Sequence, residues 1–150
     1  MIQFKISKET DKPVELVYKA FSDSGNMLKW TKNLEKVEIV RGKFGEKDAL
    51  MLLHYNQKGR RYIMQDRLIE HEPFKMIRSE VSGGGLSAIV QTSFTVKNAG
   101  TLVEMSWQGR GKSFVMNWIL KFMKKKIRLS AEAELGHFIR LVEEEGEKFH

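Results

Sequence analysis

The chain has 150 residues, 41% of them hydrophobic and 30% charged, with no cysteine and a formal net charge of +7. That length suits one domain with a single sizeable core. The lack of cysteine excludes a disulfide framework, a thiolate metal site and a cysteine nucleophile.

Taken in order, Ile2, Phe4 and Ile6 alternate with Gln3, Lys5 and Ser7, which predicts a half-buried opening strand. The segment MIQFKISKET has no positive stretch followed by an apolar core, so no secretory signal is expected. Thr10-Asp11-Lys12-Pro13 is a helix start: Asp11 is near enough to cap, and Pro13 suits a first turn where a missing N–H costs nothing. Val14, Val17, Tyr18 and Phe21 stand at i, i+3, i+4 and i+7, a short amphipathic helix. Ser22-Asp23 begins a second helical piece ending near Trp30, with Met27, Leu28 and Trp30 as its apolar residues.

A run of strands follows. Glu35–Arg41 alternates through Val37 and Ile39 to a turn at Gly42-Lys43-Phe44-Gly45. Ala49–Asn56, which carries Met51, Leu53 and Tyr55, is apolar on both faces and leads to a hairpin loop at Gln57-Lys58-Gly59-Arg60. Arg61–His71 is a long strand stopped at Glu72-Pro73, and Lys75–Val81 runs to the glycine turn Ser82-Gly83-Gly84-Gly85. Ser87–Lys97 and Thr101–Gln108 pair across Asn98-Ala99-Gly100, and Gly109-Arg110-Gly111 reads as a flexible lead into the last helix.

That helix, Val115–Glu145, repeats Met116, Leu120, Met123, Ile127, Ala131, Leu135, Phe138 and Val142 at steps of three and four, on one face. About thirty residues at roughly 1.5 Å each give about 45 Å. No apolar run approaches the roughly 18 residues of a membrane-spanning helix, and a soluble, cytoplasmic protein is expected. The strands alone would leave one apolar sheet face bare, and the simplest architecture lays the helix across it. The expected fold class is α+β: a curved antiparallel sheet of about six or seven strands around a long C-terminal helix, with two short helices after the first strand.

This order, with DKPVELVYKAFSDSGNMLKW after the first strand, the turn RGKFGEKD, the segment LIEHEPFKMIRSE and the hairpin SFTVKNAGTLVEMSWQGRG, resembles the START/polyketide-cyclase (SRPBCC) superfamily over essentially the whole chain. The resemblance implies a helix-grip fold with an apolar cavity between helix and sheet. Members use that cavity for lipids, sterols, polyketides, quinones or hormones; a few are enzymes, and many are carriers or partners of other proteins.

On the last strand Val103, Met105 and Trp107 share a face, as do Val90, Thr92, Phe94 and Val96 on its neighbour. The helix offers Met116, Leu120, Met123 and Ile127 opposite them. Methionine suits a wall that must fit an irregular apolar guest, although the same residues would serve as solid core; the resemblance favours a chamber, joined by Met51, Leu53 and Met64. In Tyr62, Met64, Asp66, Leu68 the acid interrupts an apolar alternation. One register buries Asp66 with a raised pKa; the other turns Ile63, Gln65, Arg67 and Ile69 inward. His54 and Tyr55 share that ambiguity.

No catalytic set emerges. His54, His71, His137 and His150 lack metal-ligand spacing, no G-x-S-x-G elbow is present, and the glycine run lacks the Lys-Ser/Thr of a phosphate loop. No catalytic residue, metal or cofactor is therefore assigned. The enzymatic alternative is a cyclase- or dehydratase-like activity on a polyketide or ketone, with Asp66 or Tyr55 in acid–base work.

Between Met105 and Ala131 there is no acid and there are seven bases, whereas the tail from Glu132 is mainly acidic. Like-charge neighbours Lys121/Lys125 and Lys124/Arg128, and bases placed in the first half of the helix, both oppose helix stability. Trp118, Lys121, Phe122, Lys124, Lys125, Lys126 and Arg128 form a candidate patch for an anionic membrane or an acidic protein; a solvated face with its aromatics tucked under is the alternative. Nucleic acid is not expected, because no RNA-stacking, zinc-finger or basic-zipper pattern occurs. The leading expectation is binding or transport of a small hydrophobic ligand. A cyclase-like enzyme and a protein-interaction module are the alternatives.

Overall fold

Alternation of apolar and polar side chains carries β1 from Ile2 to Thr10, three residues past the expected run, with Ile2, Phe4 and Ile6 buried on one face. The computed structural model describes residues 1–43 and 46–145. Phe44 and Gly45 of the expected turn, and His150, lie outside the described residues. Helix α1 (Val14–Ser22) buries Val14, Val17 and Tyr18, as its period requires. Pro13 occupies the N-cap in extended geometry, and no side chain among the described residues caps this end. The expected Asp11 cap fails because Asp11 stands two residues outside the cap position, too far from the first free amides. Asp23 instead caps the next turn: its carboxylate accepts from the Gly25 amide at 2.9 Å, opening a 3₁₀ turn (Ser24–Asn26) that runs into α2 (Met27–Trp30).

The remaining strands are β2 (Leu34–Arg41), β3 (Leu50–Gln57), β4 (Arg60–Glu72), β5 (Met76–Gly83), β6 (Leu86–Lys97) and β7 (Gly100–Gly111). They form one seven-stranded antiparallel sheet in the order β1-β7-β6-β5-β4-β3-β2. The first strand thus pairs with the last. Three links are two-residue hairpins with positive φ at both central residues: Lys58-Gly59, Gly84-Gly85 and Asn98-Ala99. Turns of this kind match the right-handed twist of the strands they join.

The expected flexible segment at Gly109-Arg110-Gly111 is strand. Gly109 pairs with both Ile2 and Ala88, and Arg110 and Gly111 continue the ladder to Ser87 and Leu86. The glycines serve close approach: a Cβ on Gly109 would lie 2.2 Å from the Trp107 ring, and one on Gly111 would lie 2.4 Å from the Met116 Cβ. Helix α3 (Phe114–Glu145) follows at once, capped by Ser113, whose hydroxyl accepts from the Met116 amide at 3.2 Å.

The second half of α3 buries Leu135, Phe138, Ile139 and Val142 in a core shared with Phe4, Ile6 and Val103. Three aromatic rings lock it to the short helices. Phe138 packs edge-on to Phe21 (5.4 Å between ring centres) and near Trp30 (5.5 Å), and Phe21 stacks on Trp30 (5.6 Å). Phe94 extends the group toward Tyr18. Phe138 is fully enclosed, so Phe138→Ala should lower unfolding free energy by about 3–5 kcal/mol in urea denaturation; a loss below about 1 kcal/mol would mean the interlock carries little of the fold.

Candidate functional site

Strand pairing decides which side chains face α3. Met51 sits opposite Asp66, Leu53 opposite Met64, and Tyr55 opposite Tyr62. This register turns Met51, Leu53, Tyr55, Asp66 and Leu68 toward a cavity of about 230 Å³ between the sheet and the helices. Ile77, Ser79 and Val81 of β5, Val90 and Thr92 of β6, and Met105 and Trp107 of β7 continue the wall. Phe21, Met27, Trp30 and Thr31 close one side, and Ala131 and Glu134 of α3 form the roof. Ile39, Arg41, Gly42 and Lys43 also line it and are themselves exposed, so the mouth lies at this end of β2.

Seven residues expected from the sequence meet here: Met51, Leu53, Tyr55, Asp66, Val90, Met105 and Trp107. Six others lie elsewhere. Met64 shares the inward face with its partner Leu53 but packs beside the cavity, against the cluster of Leu34, Met51 and Leu53, and is not part of the lining. Phe94 belongs to the aromatic core, Leu120 is buried outside the cavity lining, and Ile127 packs against the main core. Met116 lies against Gly85 and Gly111. Met123 is 40% exposed; it sits at the edge of the buried stripe, where a small rotation of the helix face carries it to solvent. The register also separates His54 from Tyr55. His54 turns to the outer face and meets Glu38 at 3.1 Å, while Tyr55 faces inward and stacks on Tyr62 with ring centres 5.0 Å apart.

The cavity contains two carboxyl groups with little water around them. Burial pushes Asp66 up to about 6, partly offset by a hydrogen bond from the Ser79 hydroxyl. Burial likewise pushes Glu134 up to about 7, partly offset by the Lys32 backbone amide and the Lys32 charge. Removal from water disfavours the ionised form of an acid, and for Glu134 the Lys32 charge offsets only part of that. Tyr55 is raised as well, chiefly by burial and next by Glu134, so it stays a neutral phenol. Two more polar groups belong to the wall: the Trp30 indole N–H and the Thr31 hydroxyl are buried without a hydrogen-bond partner among the described residues. A buried group left unpaired costs about 1–3 kcal/mol.

Glu134 was absent from the sequence expectation, where it fell in the acidic tail. Its signal was nonetheless present, since it stands three residues after Ala131 and seven after Ile127, both on the apolar stripe. Ser79 carried no such signal, because only strand pairing brings it beside Asp66.

The family model described as "Polyketide cyclase / dehydrase and lipid transport" matches residues 1–143. Among curated proteins none matches the sequence. Several solved structures are similar in fold. A protein from Chromobacterium violaceum shares 15% identity over 94% of this chain and 97% of its own, with a TM-score of 0.74. Ara h 8.0201 shares 15% identity over 93% of this chain and 98% of its own, at a TM-score of 0.71. The di-domain ARO/CYC BexL from the BE-7585A biosynthetic pathway shares 18% over 95% of this chain and 47% of its own, also at 0.71. The helix-grip arrangement expected from the sequence is the one observed.

The buried acids give stability a definite pH dependence. Both hold a proton more tightly in the folded chain, at about 6 and about 7, than at their ordinary values of 3.8 and 4.5. The folded state therefore binds more protons across this window, and stability falls as pH rises from about 4 to about 7. Asp66→Asn with Glu134→Gln should remove that slope, a difference on the order of a few kcal/mol at neutral pH. Chemical denaturation from acid to neutral pH checks it, and a slope unchanged in the double variant would place both carboxyls in contact with water.

Proposed function

Because the chain belongs to the polyketide cyclase / dehydrase and lipid transport family, we propose that it binds a compact, mainly apolar molecule bearing at least one hydrogen-bonding group, in the cavity between the sheet and α3. The observation that carries this reading is the placement of two carboxyl groups, Asp66 and Glu134, both held above the usual carboxylate range by burial, in a chamber whose remaining wall is mostly apolar. A solid core would exclude such groups, since burying polar groups without partners is costly. A guest that accepts from the Trp30 N–H or the Thr31 hydroxyl would remove a further cost. The space favours a compact guest over a two-chain lipid, at about 230 Å³ against roughly 300–1,000 Å³ for most small-molecule sites. Arg41 and Lys43 at the mouth suit a guest whose polar end reaches solvent.

Native mass spectrometry of the freshly purified protein should show a co-purifying small molecule. Val90→Trp and Ala131→Phe each add bulk to the wall, and each should abolish that adduct and the uptake of a neutral naphthol probe while circular dichroism stays unchanged. Full uptake in both folded variants would overturn the reading.

A second reading has an observation of its own. Asp66, Glu134 and Tyr55 place groups that can give or take a proton on a shared cavity, as acid–base catalysis of a cyclisation or dehydration requires. Positioned proton transfer contributes about 10²–10⁴-fold, so Asp66→Asn and Glu134→Gln should lower turnover of a β-polyketone substrate by about that factor without weakening its binding. Equal turnover in the variants would leave binding alone.

A further inference from the structure

The first half of α3 carries two apolar faces. One holds Leu120 and Ile127 against the rest of the molecule. The other is bare: Phe114 is 85% exposed, Trp118 58%, Phe122 73% and Leu129 54%. These four recur at steps of four, four and seven, so they form one stripe. Trp118 and Leu120 differ by two positions, about 200° around the axis at about 100° per residue, which puts the stripe on the side away from the sheet. Trp118 and Phe122 pack edge-to-face at 4.8 Å between ring centres, so the rings cover each other and still leave most of their surface to solvent. An apolar stripe of this kind on a monomer's surface marks a contact.

The flanking charge identifies the partner. Lys121, Lys125 and Lys126 are exposed on or beside the stripe and Lys124 is exposed nearer the body, and none of the four has an acidic partner within 4.0 Å among the described residues. A second copy fits poorly, because a two-fold contact through this face would bring one lysine cluster against the other. We propose that the outward face of residues 114–129 docks on a bilayer surface bearing anionic headgroups, with Trp118 and Phe122 in the headgroup–acyl boundary and the lysines reaching up to phosphates. Lysine stems cover apolar surface while their ammonium groups stay with polar atoms, and aromatic rings settle at that depth. The face is preformed. Ser113 caps the helix, the Asn117 side chain accepts from the Gly111 amide at 2.8 Å, and the Lys112 amide donates to the Gly85 carbonyl at 2.8 Å. Little ordering is lost on docking. This proposal rests on the helix surface alone and goes beyond the cavity reading.

Sedimentation with phosphatidylcholine vesicles containing about 30% phosphatidylglycerol tests it. The protein should pellet with these vesicles and not with phosphatidylcholine alone. Trp118 emission should shift to the blue, since Trp30 is buried and Trp107 lies on the cavity wall. Raising salt from about 50 to about 500 mM should weaken binding roughly tenfold. The double variant Trp118→Ser, Phe122→Ser and the triple variant Lys124→Glu, Lys125→Glu, Lys126→Glu should each lose at least about tenfold with unchanged circular dichroism. No pelleting of the wild type, equal pelleting on neutral vesicles, or wild-type binding in both variants would overturn the proposal. So would retention on poly-L-glutamate without vesicle binding, which would assign the face to an acidic protein. A dimer lost only in the aromatic variant, again without vesicle binding, would assign it to self-association.

Discussion

Three rings decide where everything else stands. Phe138 of α3 packs against Phe21 and Trp30 of the short helices, and Phe94 of β6 joins them to the sheet. Burying a ring of this size is worth about 1.5–3 kcal/mol, before the preference for edge-on contact is counted. The energy matters less than the geometry. Fixed at this point, α3 meets the sheet closely at β1 and β7, where Leu135, Ile139 and Val142 complete the core. Toward β3 and β4 the twist of the sheet carries the strands away from the helix, and the gap that results is the cavity. Phe21 and Trp30 belong to both the core and the cavity wall.

That gap is where the molecule keeps groups a core would reject. A sheet face alternates strictly, so once Met51, Leu53 and Leu68 are inward, Asp66 must be inward with them. The helix adds Glu134 on the opposite wall. Burial holds both acids above the usual carboxylate range, at about 6 and about 7, so each keeps its proton to a higher pH than a surface carboxyl would and can exchange hydrogen bonds with a guest. Ser79, Thr92, Tyr55 and the Trp30 indole complete a sparse polar pattern on an apolar wall, the usual composition of a small-molecule site.

Helix α3 divides its labour along its length. Its second half is core and cavity roof. Its first half touches the body through a narrow stripe and turns rings and lysines outward. Local energetics disfavour that arrangement: like charges sit at i,i+4, and bases cluster toward the positive end of the helix dipole. Arg128 finds Glu132 one turn on at 3.2 Å, but the lysines before it have no such relief among the described residues. A pattern that neither packing nor helix stability explains points to something outside the molecule.

Much of this was legible in the amino-acid sequence, because the signals involved are local. Alternation over a few residues located the strands, Gly and Asn positions located the hairpins, and steps of three and four drew the long helix to within one residue of its start. The order of those elements carried the family likeness. The site was only half legible. Met51, Leu53, Tyr55 and Asp66 reach the cavity together because β3 and β4 pair in one register, and a shift by a single residue would have presented Ile63 and Gln65 instead. Met123 follows the helical period and still faces solvent, Glu134 sits among surface acids and still faces inward, and Gly109 to Gly111 are held in the ladder rather than left loose. In each case the outcome depends on a partner far away in the chain. A side chain's own neighbours set its conformation, but what it faces is set by the element packed across from it, and that is a property of the folded chain alone.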